Sequence, residues 1–211
     1  MHAWRGWHWW PDADPFEVTV GCILVQNTAW TNVEHALQRL RAANAFSAAV
    51  MDTLSDNELE ELVRPSGQYR QKTRKLRAFL DLARKRGGFE SLLATPANEL
   101  RPLLLGTFGI GPETADAIIC YAARQPAFVI DAYTMRIFGR LGIGPVKSSD
   151  YHEWQRFFLE GLGDAHDGDP RDLFARYHAL VVLHAKHFCR KRAPRCGDCS
   201  LAAWCPFAEP G

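Results

Sequence analysis

Four of the chain's six cysteines lie at its C-terminal end with the spacing Cys189-x6-Cys196-x2-Cys199-x5-Cys205. If four thiols this close act together, the backbone must coil around one shared point. Packing alone rarely asks for that, so they read as the ligands of one metal site, with a disulfide pair as the metal-free alternative. Zinc takes four thiolates, commonly as two short C-x2–4-C pairs separated by a longer spacer. The gaps here are six, two and five, a single compact loop. An iron–sulfur cluster is also held by four cysteines, and the compact spacing suits it better than zinc, although both stay open at this point. Between the first two ligands stand Arg190, Lys191, Arg192 and Arg195, which points to a polyanionic partner. Cys22 and Cys120 sit in apolar runs and are expected in the core.

A chain of 211 residues suits one large domain or two small ones. It has no apolar run of the ~18 residues that a membrane span needs, so no membrane partner is expected. Residues 1–11 are Trp-rich and lack the apolar stretch of a secretory signal. The expectation is a cytoplasmic protein in which thiols stay reduced and clustered cysteines favour metal. The formal net charge of +1 selects no partner, but charge is segregated. Residues 70–86 hold eight basic side chains and one acid, Asp81. Lys186, Arg190, Lys191, Arg192 and Arg195 form a second basic run without an acid, while 52–61 and 164–172 are acidic. Such segregation can polarise a surface, or merely mark a solvated helix face.

Helix signals recur and strand signals are weak, so the fold class is all-α with nine or ten helices. Pro15 opens an apolar run to Gln26. Thr31-Asn32-Val33-Glu34 and Ser55-Asp56-Asn57-Glu58 read as capping boxes. Leu76, Phe79, Leu80 and Ala83 lie on one helical stripe. Thr95 precedes Pro96 as a cap, and Pro112 follows Gly111 in the same way. Ser148 or Ser149 is placed as the cap of a helix carrying Trp154, Phe157 and Phe158. Asp169-Pro170 starts the last long helix.

Two further segments carry chemistry. In Leu105-Gly106-Thr107-Phe108-Gly109-Ile110-Gly111-Pro112-Glu113-Thr114 one helix ends, a Gly-x-Gly turn follows, and a second helix begins. Glycines permit positive φ and close approach of a ligand to the backbone, and the new helix offers free N–H groups to a phosphate. In Val129-Ile130-Asp131 an acid follows apolar residues, so its carboxylate is expected to be partly desolvated. It can also cap the helix that begins at Ala132.

In this order the hairpin, the Val-Ile-Asp segment and the four-cysteine loop resemble the endonuclease III-like DNA glycosylases of the helix-hairpin-helix superfamily, over nearly the whole chain. The resemblance implies two helical lobes with a DNA cleft between them. One is a barrel-like domain with the hairpin, 12–125; the other is an iron–sulfur-cluster domain, 1–11 plus 126–211. It implies a nucleoid-associated, monomeric base-excision-repair enzyme acting on double-stranded DNA that contains a damaged base. Asp131 would be catalytic, and Cys189, Cys196, Cys199 and Cys205 would hold a [4Fe-4S] cluster. Gly109, Gly111, Thr114, Gln26, Gln68, Arg136, Lys186 and the cationic loop would contact DNA. Gln26 matches the glutamine that fills the hole left by the extruded base, and Gln68 stands where relatives often place an apolar wedge.

Three departures refine this picture. The lysine that forms a Schiff base in bifunctional members is Glu113 here, so water is the expected attacking species and lyase activity is not expected. Glu113 reads either as a second carboxylate or as a first-turn acid favoured by the helix dipole. Lys72, Lys147 and Lys186 are the lysines left to consider as substitutes. Tyr133 stands where many members have histidine. The N-terminal Trp9-Trp10-Pro11, with Gln26-Asn27-Thr28-Ala29-Trp30, resembles the 3-methyladenine DNA glycosylase III branch. There Trp10 and Trp30, with Trp9 and Tyr133 alongside, would stack on an alkylated purine. Pro15-Phe16 starts the first helix that matches the family, so the leading helix of many relatives is expected to be absent, and plugging its place is the other reading of Trp9 and Trp10. Oxidised pyrimidine, a T or U opposite G, and lesion binding without efficient catalysis are the alternatives.

Overall fold

The computed structural model describes residues 14–163 and 169–208; Trp9 and Trp10 lie outside them. Eleven α-helices and no strand occur among the described residues. The surplus over the sequence reading comes from α3 (Ala48–Thr53) and α6 (Phe89–Leu93), which are too short to complete a periodic pattern. The chain divides into two compact units, whose described parts are 14–127 and 128–208. No described helix is long and apolar enough to cross a membrane.

In the first unit, α1 (Pro15–Leu24) starts where Asp14 Oδ1 accepts the N–H groups of Phe16 and Glu17 at 2.8 and 3.4 Å. Its residues 18–24 are all buried, which is why the run is apolar without a helical period. It ends two residues before Gln26. α2 (Trp30–Ala42) has its N-cap at Ala29, two residues earlier than a Thr31 capping box requires, and that box does not form. Glu34 instead accepts the Trp30 indole N–H at 2.9 Å. The box at Ser55 does form and starts α4 (Asp56–Val63).

α5 (Tyr69–Lys85) buries Leu76, Phe79, Leu80 and Ala83 as the stripe requires. It also buries Lys72, whose ammonium donates to the Ser66 carbonyl. Thr95 does not cap α7 (Ala97–Leu105); Pro96 occupies the cap position with no side-chain bond. Pro112 does stand at the first position of α8 (Pro112–Ala117), which runs into a π-helical turn, Ile118–Ala122, packed on α1. The two hairpin helices are clamped together. Arg101 of α7 holds the buried Asp116 of α8 with both ends of its fork, at 2.7 and 3.1 Å.

The second unit is built on Phe128, Ile130, Trp154, Phe158 and Phe174. Phe128 stacks on Phe158 with centroids 4.5 Å apart and meets Phe174 edge-on at 5.6 Å. The Trp154 indole finds the Ser148 carbonyl at 3.0 Å, so the polar handle of the largest core residue is satisfied. α10 (Tyr151–Gly163) is capped by Asp150, not by Ser148 or Ser149: its Oδ1 accepts from His152 N at 2.6 Å. α9 (Ala132–Leu141) packs on α11 (Pro170–His187), which Asp169 caps. Gly142, at φ 70°, ends α9 in the left-handed conformation.

Candidate active site and thiol loop

In the first unit the structure brings Gln26, Gly109 and Thr114 together. The Gln26 carboxamide donates to the Gly109 carbonyl at 3.2 Å and to Thr114 Oγ1 at 3.0 Å. Its oxygen accepts from the Lys75 ammonium. Sequence reasoning placed Lys75 only in a basic run; its meeting with Gln26, 49 residues away, leaves no local signal. Only one hairpin glycine uses its conformational freedom. Gly109 takes φ +78°, and a Cβ there would overlap the Lys75 stem. Gly111 is extended, with φ −92° and ψ 179°, and no described residue lies within 4 Å of where a Cβ would stand. Phe108, at the turn, is exposed beneath the Arg74 guanidinium, 4.6 Å from its ring centre.

Glu113 is an exposed acid in the first turn of α8. Lys72 is committed inside the unit, and burial, with help from Lys75, pushes its amine down to about 8. Gln68 is exposed and left-handed at φ 45°, and Asn27 takes φ 55° directly after Gln26. Both expected DNA-contacting glutamines thus adjoin or occupy backbone positions that side chains seldom adopt. Trp30 is half-buried, and its bond to Glu34 fixes the ring's orientation.

In the second unit Asp131 is the N-cap of α9. Its Oδ1 accepts the Thr134 N–H at 2.7 Å and the Thr134 hydroxyl at 2.8 Å. Its Oδ2 lies 3.5 Å from His178 Nε2 of α11. Burial pushes this carboxyl up, but His178 and Thr134 together outweigh burial and hold it below the ordinary carboxylate range. The carboxylate is therefore charged at neutral pH. The stability it contributes is present above its unfolded pKa of about 3.9 and is lost as pH falls through the lower folded value. Tyr133 packs half-buried against Ile137, Val181 and Ala185, with Arg136 over its ring at 5.0 Å. Arg136, expected on DNA, spends its guanidinium on the Cys189 carbonyl at 3.0 Å and the Ala185 carbonyl at 3.5 Å.

The thiol loop closes on α9. All four cysteines are free and half-buried. Arg140 donates to Cys189 Sγ at 3.2 Å and to the carbonyls of Arg190 and Lys191 at 2.8 and 3.3 Å. The Leu201 N–H points at Cys199 Sγ from 3.4 Å, and His184 Nε2 lies 3.5 Å from the same sulfur. No three His, Cys, Asp or Glu side chains among the described residues converge as a set for one ion. The donor chemistry nevertheless fits a soft metal group: four thiols, with N–H donors aimed at two of the sulfurs, as thiolates bound to iron receive. Lys186, Arg190, Lys191, Arg192 and Arg195 are exposed, and Arg195 donates to Asp198 at 3.0 Å. Arg140, His178 and Thr134 were missed as site residues. His178 carried a signal, as the one polar member of the buried face of α11.

Residues 20–162 match the family described as HhH-GPD superfamily base excision DNA repair protein. The chain belongs to this superfamily. As a member it is a DNA glycosylase of base excision repair. It is 38% identical over 203 residues to a Methanocaldococcus jannaschii protein that carries the name of a DNA repair glycosylase, covering 94% of this chain and 88% of that one. Endonuclease III of Thermotoga maritima is 28% identical over 206 residues, covering 93% and 84%. The crystal structure of Helicobacter pylori 3-methyladenine DNA glycosylase bound to 1,N6-ethenoadenine superposes with a TM-score of 0.74 at 32% identity, covering 84% of this HhH-GPD chain and 87% of that one.

Proposed function

We propose that this HhH-GPD protein is a monofunctional glycosylase that flips an alkylated purine out of duplex DNA and hydrolyses its N-glycosidic bond. The observation that carries the reading is an ionised, partly buried Asp131 carboxylate in a chain whose hairpin has Glu113 at the lysine position. Asp131 supplies the negative charge that stabilises an oxocarbenium-like sugar and helps to orient the attacking water. Glu113 cannot form a Schiff base. The backbone of the hairpin turn approaches a phosphate, and Gln26 enters the stack after release from Lys75 and Thr114, offsetting part of the few kcal/mol that base extrusion costs. An electron-poor alkylated purine stacks well on an indole such as Trp30. The similarity to a 3-methyladenine glycosylase supports this substrate class.

A panel of single-lesion duplexes, covering alkylated purines, oxidised pyrimidines and G mismatches, tests the reading. Free alkylated purine is the expected product. Release of oxidised pyrimidine alone, or of T or U opposite G, would transfer the protein to the second reading, which its similarity to endonuclease III favours. Tight binding without release of any base would make it a lesion-binding protein.

Borohydride treatment of the enzyme with abasic DNA is expected to trap no covalent adduct. A stable enzyme–DNA band would restore a lyase and overturn the monofunctional assignment. Neutralising Arg190, Lys191 or Arg192 should each lower the log–log salt slope of duplex binding by about 0.9. Arg195, held by Asp198, should lower it less. Unchanged slopes for all four would remove the loop from the DNA interface.

Cys189, Cys196, Cys199 and Cys205 would hold a [4Fe-4S] cluster. When bound it supplies cross-links to the loop, and no step of hydrolysis runs through it. The purified protein is expected to show the broad visible absorption of iron–thiolate bonds, with iron and acid-labile sulfide in equal amounts, and Cys205→Ala to lose the colour. A colourless protein with stoichiometric zinc would establish the zinc alternative.

A further inference from the structure

Within the proposed chemistry the direction of the Asp131 carboxylate matters as much as its charge. A carboxylate that swings about its last torsion presents a wandering charge to the sugar, and small misplacements of a reacting group are costly. Thr134 fixes one oxygen from inside α9, through its N–H and its hydroxyl. The other oxygen meets a residue from a different helix. His178 is 7% exposed and stands on the face of α11 that is otherwise Phe174, Ala179, Val181, Val182, Leu183 and Ala185. Its Nε2 lies 3.5 Å from Asp131 Oδ2. That is long for a finished hydrogen bond, and catalytic contacts of this kind often tighten only when substrate is bound.

We propose that His178 is a positioning residue for Asp131, its Nε2–H setting the direction of the carboxylate oxygen that Thr134 leaves open. The inference rests on Asp131 acting in base release, as proposed above. It adds that α11, which contributes nothing else to the chemistry, carries half of the clamp. The depressed carboxyl range of Asp131, to which His178 contributes against the effect of burial, agrees with this placement. A buried histidine kept only for packing would serve equally well as an apolar ring.

Two substitutions separate the roles. His178→Gln keeps an N–H donor of similar reach, and His178→Phe keeps the ring volume without the donor. Single-turnover base release by the full chain is expected to fall roughly 10- to 100-fold in His178→Phe and to stay near wild type in His178→Gln, with duplex affinity unchanged in both. A packing role gives the reverse order, and Phe releasing base as fast as Gln, or faster, overturns the proposal. Nitrogen NMR of the histidine rings supplies a readout independent of turnover. The Nε2–H tautomer is expected at His178, with a signal that moves in Asp131→Ala. An Nδ1–H tautomer, or a signal that does not move, overturns the proposal even in an active enzyme. Wild-type protein that releases no base from any lesion overturns the glycosylase reading itself, and the inference with it.

Discussion

Asp131→Asn is expected to release base from a lesion duplex about 10²- to 10⁴-fold more slowly than the native chain while binding the same duplex equally well. The substitution is informative because of what it leaves intact. Asparagine is as good an N-cap as aspartate, and its side-chain oxygen can still accept the Thr134 N–H and hydroxyl that Oδ1 accepts now. α9 should therefore keep its start, while the charge disappears and an amide NH2 replaces the oxygen that faces His178. Asp131→Ala removes the charge and the cap together and should cost about 1 kcal/mol of stability in addition. Native-rate release by the Asn variant, measured in single turnover, would remove Asp131 from the chemistry.

The second large effect concerns stability. Arg101→Met should destabilise the protein by about 3–5 kcal/mol, read from its urea unfolding midpoint. Asp116 is 1% exposed, and both its oxygens receive the Arg101 guanidinium. Removing the cation leaves a buried carboxylate without its charged partner, and breaking such a pair costs far more than an exposed ion pair is worth. Replacing both members, as in Arg101→Met with Asp116→Leu, should recover most of the loss, because a well-packed apolar pair can match a buried ion pair. Since the pair joins the two hairpin helices, the single variant should also weaken duplex binding. A shift below about 1 kcal/mol would show that the clamp is dispensable.

What the sequence made legible was local or set by spacing. The Ser55 box, the Pro112 start, the Asp169 cap, the α5 stripe and the Asp131 cap each follow from residues within one or two turns of each other, and each is present. The failures were also local, but competitive. Thr31 lost to a cap at Ala29, and Glu34 accepts from the Trp30 indole instead. Asp150 outcompeted two serines for α10. The contacts that hold the candidate site came from far along the chain: Lys75 to Gln26, His178 to Asp131, Arg140 to the thiol loop. A single sequence carries no mark of such pairings beyond a polar residue on an apolar face, which His178 supplied and the others did not. Arg136 shows the converse, a cation legible as a DNA contact that folding assigns to backbone carbonyls.

α9 has a property that follows from its two ends. Asp131 caps its start, and Arg140, in its last turn, grips Cys189 and the carbonyls of Arg190 and Lys191. Ten residues of helix make a rod about 15 Å long, too stiff to absorb a shift at one end without passing it to the other. Oxidative loss of the thiol loop would therefore be felt as a displaced carboxylate. Under the proposed function, loss of the proposed cluster would thereby slow base release.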